Sequence, residues 1–366
     1  MNPLADFRLS KPRRALAVAG LAVLALAGDS PAQSETVRLS GSTVAVYNLA
    51  GSVSIGAGSG SDVTVTVRRA GPDADRLELR TGAVDLRRGD WGQVEALRIV
   101  YPDDRVRYDG MWGTTQLRVR DDGTFWGDGG NGREGRRVEI SNRGGGLEAS
   151  ADLEISVPRG RRILVALAAG TIDARNVDGD LYLDTGSGDI TVGGTSGILN
   201  LDTGSGNVAV ENADGDVSVD TGSGNVEARS IRGPALSIDT GSGDVTVSGA
   251  EAGEVEVDTG SGGVTLLGLR TGRVGVDTGS GDVTVRTAAG SATIEVDTGS
   301  GDVTVSVPAD YAGDVRLETS SGRMVTELPI TLLRRSDDEI AGRIGEGGSA
   351  HIEVDTGSGD IRIHRS

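Results

Sequence analysis

The sequence predicts an all-β protein: a right-handed parallel β-solenoid, or β-helix, with about two strands per 18–21-residue coil and a less regular β cap at its N-terminal side. Three observations carry this. One short string recurs at near-constant spacing, side chains alternate strictly around it, and the composition favours turns over a bulky core. Glycine supplies 59 of the 366 residues while aromatics make up only 3%. Hydrophobic residues still reach 36%, too many for a disordered chain.

The string Asp-Thr-Gly-Ser-Gly begins at Asp184, Asp202, Asp220, Asp239, Asp258, Asp277, Asp297 and Asp355, with a degenerate copy at Glu318. Successive starts lie 18, 18, 19, 19, 19, 20 and 21 residues apart, then 37 from Glu318 to Asp355. A period near 20 residues marks a stack in which each unit is buried only by its neighbours. The residues expected to form the corners are Asp184, Gly186 and Gly188, then Asp202 and Gly204, Asp220 and Gly222, Asp239 and Gly241, and Asp258 and Gly260. Asp277 and Gly279, Asp297 and Gly299, and Asp355 and Gly357 complete the set. Glycine tolerates positive φ there, and Asp, Thr and Ser can bond to neighbouring backbone N–H groups.

Within each unit the pattern has period two. Ile294, Val296 and Thr298 point one way, joined by Val303 and Val305 after the corner, while Glu295, Asp297 and Thr304 point the other way. Each coil then buries about four small aliphatics, each worth roughly 1.5–3 kcal/mol before entropy is subtracted. A meander of antiparallel hairpins satisfies the alternation equally. Only stacked coils demand the constant spacing, and right-handedness follows from the general crossover preference.

Residues 1–32 read as a signal peptide. Arg8, Lys11, Arg13 and Arg14 precede the apolar run 15–28, and Ser30-Pro31-Ala32 offers small residues for cleavage before Gln33. The run is short for a membrane span of roughly 20 residues. Export to the periplasm, the outer surface or the medium is therefore expected, with no transmembrane segment after cleavage. The absence of cysteine excludes a lipid-anchored cysteine and disulfide staples alike. A net charge of −18 disfavours nucleic acid and anionic membranes as partners.

Residues 33–150 read as an irregular β region and N-terminal cap, and 151–366 as the repeat solenoid. Strand-like runs in the first part include residues 43–47 and 62–67, and residues 51–55 look like a worn repeat. A charged, glycine-rich insertion occupies residues 102–146. Trp112, Phe125 and Trp126 fall inside it, with Trp91, Tyr101 and Tyr108 in or near it. Two readings stand: a ligand patch for stacking on glycans, or the small core of the cap.

The run Ala151-Asp152-Leu153-Glu154-Ile155-Ser156-Val157-Pro158-Arg159-Gly160, followed by repeated Asp-Thr-Gly-Ser-Gly-Asp-Val-Thr-Val, resembles a bacterial adhesin-type family of β-strand-repeat proteins. The closing segment from Glu327-Leu328-Pro329-Ile330 to Gly359-Asp360-Ile361-Arg362-Ile363 is similar to it too. The resemblance covers residues from about 150 onward well and residues 35–150 loosely. It implies a right-handed β-helix, export and an adhesive or envelope-associated role. It implies no catalytic residues.

Three chemistries compete with a corner role. Asp-Thr-Gly-Ser is also the active-site string of aspartic proteases, but two copies suffice there and eight occur here at coil spacing. Calcium is the one cofactor to weigh, through Asp239, Asp244, Asp277 and Asp282. Asn207, Asn225 and Gly263 interrupt such a ligand column at the sixth position. Catalysis has His351 and His364 and no thiol to draw on, which leaves a polysaccharide lyase or hydrolase as the enzymatic alternative. The sequence thus reads as a non-enzymatic binding, adhesion or envelope scaffold without cofactor, whose partners are glycans or envelope and surface proteins.

Overall fold

The computed structural model describes residues 34–86, 91–125 and 134–366; the expected signal peptide and Trp126 lie outside them. The described chain is all-β apart from one short 3-10 turn, Ala74–Arg76. It is a β-solenoid built from two long stacks of parallel strands. In the first, Arg161–Ala169, Gly179–Thr185, Leu199–Thr203, Val217–Thr221, Arg232–Thr240 and Glu251–Thr259 follow in sequence order. The second takes the strands after each corner: Ile172–Arg175, Ile190–Ser196, Val208–Asp214, Val226–Arg229 and Val245–Ser248. The strand Val264–Thr278 serves both stacks, its start pairing in the second and its end in the first.

β-branched and Leu side chains form these strands because their inward faces stack on like residues one rung away. Leu199, Val217, Leu236, Val255, Val274 and Ile294 make one such buried column. Val208, Val226, Val245, Val264, Val283 and Val303 make its counterpart across the corner. The corner threonines Thr203, Thr221, Thr240 and Thr259 are buried behind them. The Thr203 hydroxyl donates to the carbonyl of Gly188 at 3.2 Å, so a buried polar group is satisfied inside the stack.

The corner glycines answer a steric demand beyond the expected backbone freedom. A Cβ on Gly224 would lie 2.0 Å from the carbonyl oxygen of Gly206, and one on Gly222 2.6 Å from that of Gly204. Successive corners approach too closely for any side chain at either position.

A third, shorter parallel register was not legible as a strand. Asp178, Ser196, Asp214, Arg232, Glu251 and Arg270 follow one another rung by rung. It follows a second bend at which Asn212 and Ser230 take φ of 55°.

Both ends depart from sequence order. Thr43–Ala50 pairs parallel with Arg161–Ala169 on one side and Gly92–Val100 on the other. Its companion Val53–Ala57 lies between Ile172–Arg175 and Ser150–Val157. Strands from the irregular N-terminal region therefore join the same stacks as the repeats. At the other end the strand pair Ala350–Thr356 and Ile361–Arg365 sits directly on Thr293–Thr298 and Val303–Val307. Gly313–Thr319 and Met324–Thr326 then pair on its far side. The 21-residue spacing from Asp297 to Glu318 suggests direct stacking, but Asp355 stands between them.

Antiparallel strands finish each end. Glu78–Leu86 covers Gly92–Val100, while Ser34–Leu39 covers Val63–Ala70, itself antiparallel to Ser150–Val157. Glu339–Ile344 covers Gly313–Thr319 and is followed by Ile330–Arg335. Residues 323–350, where the repeat breaks, thus hold a capping hairpin of Ile330–Arg335 and Glu339–Ile344, which relieves the open edge of a parallel stack.

Candidate functional site

The strand before each corner alternates in and out, so every unit places its Asp on the outer face of the first stack. Parallel in-register pairing brings Asp184, Asp202, Asp220, Asp239, Asp258, Asp277, Asp297 and Asp355 into one column, closed by Glu318. Adjacent backbones of the column are thus about 4.8 Å apart along the stack, the strand spacing. The column bears on Asp258 and Asp297, whose carboxyls are held above the usual range. Partial desolvation is the main cause for both. Asp239 and Asp277 then add repulsion at Asp258, and Asp277 and Asp355 at Asp297.

Two residues before the Asp runs a parallel column: Ser237, Glu256, Gly275, Glu295 and Glu353. Gly275 contributes no side chain between two glutamates. This gap opens a shallow groove of about 630 Å³, lined by Asp239, Asp258, Asp277, Asp297, Glu256 and Glu295 among others. Arg273 reaches its rim, where it pairs with Glu254 at 2.9 Å and Glu295 at 2.7 Å. Across the corner the outer face is hydroxylic instead: Thr246, Thr265, Thr284 and Thr304 stack in register.

The sixth residue of each repeat has a different duty. Asp189 Oδ1 accepts the backbone N–H of Asn207 at 2.8 Å, and Asn207 Oδ1 that of Asn225 at 3.0 Å. Asn225 accepts from Asp244 and Asp244 from Gly263, both at 2.9 Å. Gly263 has no side chain with which to continue, and the series resumes where Asp282 accepts from Asp302 at 2.9 Å. Asp and Asn are interchangeable here because only an acceptor oxygen is needed. Asn207 and Asn225 thus continue a column of acceptors, in which Gly263 is a gap.

The candidate calcium ligands therefore fall into two columns. Asp239 and Asp277 lie in the outer acidic column, two rungs apart, whereas Asp244 and Asp282 each spend an oxygen on a backbone N–H. Among the described residues, no group of three or more His, Asp or Glu is placed to hold a metal ion.

The aromatic patch separates. Phe125 is buried and meets Tyr47 edge-to-face at 5.6 Å between ring centres, so it packs core. Trp112 is 90% exposed. Trp91 packs against Tyr182 at 4.6 Å, with the Arg162 guanidinium 5.3 Å above its ring. The insertion carries its own three-stranded sheet of Arg105–Arg107, Arg136–Ser141 and Thr114–Val119. It touches the solenoid where Thr115 and Ser187 hydroxyls lie 2.9 Å apart. No sequence signal predicted that contact or the groove at Gly275; both depend on which coils lie side by side.

The repeating corner, the in-register stacks and the capped end coincide with a family model spanning residues 148–364, more than half of the chain. The chain belongs to the Toastrack DUF4097 family. The acidic column and the groove both lie within its Toastrack segment. No curated protein matches the chain. Among solved structures, it is similar to a "putative cell adhesion protein" from Clostridium sporogenes ATCC 15579 at 9% identity, covering 92% of this chain and 100% of the other. The TM-score of 0.22 is too low for that likeness to bear on fold or function. Among the described residues no helix is long and apolar enough to cross a membrane.

Proposed function

We propose that this Toastrack protein is an exported, non-enzymatic binding or adhesion scaffold of the cell envelope. Its working surface is the outer face of the first stack. The observation that carries the reading is the uninterrupted acidic column from Asp184 to Glu318, flanked in its later rungs by Glu256, Glu295 and Glu353. Repeated identical groups at fixed spacing favour many weak contacts that add through avidity, as a single deep pocket does not. Partners of matching chemistry are glycans rich in hydroxyl or amino groups and cationic segments of envelope or surface proteins. Right-handed winding, two principal strands per 18–21-residue coil, an N-terminal cap before residue 151 and removal of residues 1–32 on export belong to the same proposal. No cofactor is required.

The test is binding of residues 33–366 to an array of glycans and cationic peptides, with and without calcium. Saturable binding that weakens as salt rises and falls when Asp239, Asp258 and Asp277 are changed to Asn supports the proposal. Turnover of any arrayed polysaccharide, or binding indifferent to the Asn changes, overturns it.

A further inference from the structure

The strand pair that comes last in sequence is an insert. Ala350–Thr356 and Ile361–Arg365 fill a slot whose walls are Thr293–Thr298 with Val303–Val307 and Gly313–Thr319 with Met324–Thr326. The insert bonds to both walls. On one, the N–H of Gly357 donates to Thr298 at 3.1 Å and that of Asp360 to Asp302 Oδ1 at 2.8 Å. On the other, the N–H of Ile361 donates to Arg323 at 2.9 Å, and Arg323 N–H donates to Asp360 Oδ1 at 2.8 Å. Ile352, Val354, Ile361 and Ile363 are buried between the walls.

The connection into the insert is short and glycine-rich. Residues 345–349, Gly-Glu-Gly-Gly-Ser, separate Glu339–Ile344 from Ala350–Thr356, with Gly345 at φ 67° and Gly347 at φ 71°. Drawn out, five residues reach roughly 17 Å. The slot makes the same contacts whichever molecule supplies the insert. Exchange between two copies thus sacrifices none of the bonds above and needs only the hinge to open.

We infer that the slot is a strand-exchange interface, in which residues 350–365 of one copy of this chain fill the slot of a second copy and the exchange is reciprocal. This does not rest on the proposed ligand-binding face, which is the outer surface of the stack rather than its interior.

The chain has no cysteine, so crosslinks can be placed at will. Glu295 and Glu353 are register partners across the wall of the slot, and Ser237 and Glu256 are register partners between two repeats that exchange nothing. Full chains carrying E295C or E353C alone are mixed, unfolded, refolded together at high protein concentration and oxidised. The expected result is a disulfide-linked heterodimer in roughly 10²-fold excess over that from S237C mixed with E256C, because only the first pair is held together. The unsubstituted chain, refolded in the same way, should show dimer mass by light scattering. Heterodimer no more abundant than in the control mixture overturns the inference when the E295C/E353C double variant closes its own disulfide at low concentration. A double variant that fails to close, or an unsubstituted chain that refolds only to monomer mass, overturns it equally.

Discussion

The backbone N–H of Asp360 donates to Oδ1 of Asp302 at 2.8 Å, although 58 residues separate the two in sequence. The same bond links consecutive repeats elsewhere, as from Asp302 N–H to Asp282. The last strand pair is therefore held in register by the device that registers every other coil. Replacing Asp302 by Ala removes the acceptor and should lower stability by about 1 kcal/mol, whereas Asn keeps an oxygen in place and should cost less than half of that. Urea unfolding of the two variants beside the parent checks this. Equal losses would show that charge rather than acceptance matters.

Gly224→Ala should be among the most damaging single changes in the molecule. Its Cβ, fixed rigidly to its own backbone, would sit 2.0 Å from the backbone carbonyl oxygen of Gly206, so relief requires whole coils to separate. A loss of about 3 kcal/mol or more is expected. Gly56→Ala, whose Cβ meets nothing within 4 Å, should change stability by no more than about 0.5 kcal/mol. Thermal unfolding of the two variants side by side gives the contrast.

Asp258→Asn should stabilise the protein at neutral pH, and the gain should vanish in acid. The folded-state pKa of Asp258 lies above its usual value of 3.8, through desolvation and then Asp239 and Asp277. A raised acid contributes most below its unfolded pKa and loses that contribution as pH rises through the folded value. Parent and variant should thus match below about pH 3.8 and diverge above it. The carboxyl is solvent-exposed, so screening holds the gain to about 0.5 kcal/mol, and added salt should shrink it further. Melting curves across pH and salt test each sign.

Tyr101→Phe tests the N-terminal end. The Tyr101 hydroxyl lies 2.9 Å from both Asn48 Oδ1 and the Ala50 carbonyl oxygen, with Asn48 fully buried. Burial drives the phenol pKa far above its usual value. Phenylalanine leaves buried acceptors without this donor, at about 1–3 kcal/mol. The parent should also lose stability as pH climbs past about 10, where an unfolded tyrosine ionises and the buried one does not. A variant whose alkaline unfolding profile is unchanged would deny Tyr101 this role.

The repeat was readable because burial in a stack imposes the same requirement on every unit. A two-residue alternation puts Val255 and Val257 inside and Glu256 and Asp258 outside, whatever the neighbours are. Constant spacing then forces Asp258 to lie beside Asp239 and Asp277. The corner glycines were readable as corners, but the reason for them was not. The 2.0 Å approach to the rung below exists only once the rungs are stacked. Phe125 shows the opposite limit: its insertion has no repeat, and nothing local distinguishes a core aromatic from a surface one.

By itself, the sequence determined the all-β class, the coil period, the inward aliphatics and the outward acidic column, since each follows from local alternation multiplied by repetition. Tertiary structure decided the order of the coils at both ends, the groove at Gly275 and the duty of the sixth-position side chains. Those depend on which strand meets which across a long stretch of chain. Many repeats present nearly the same edge, so an edge such as that of Thr293–Thr298 accepts either Gly313–Thr319 or Ala350–Thr356 on pattern alone. Only the packing of the whole end, with its antiparallel cap, selects the second.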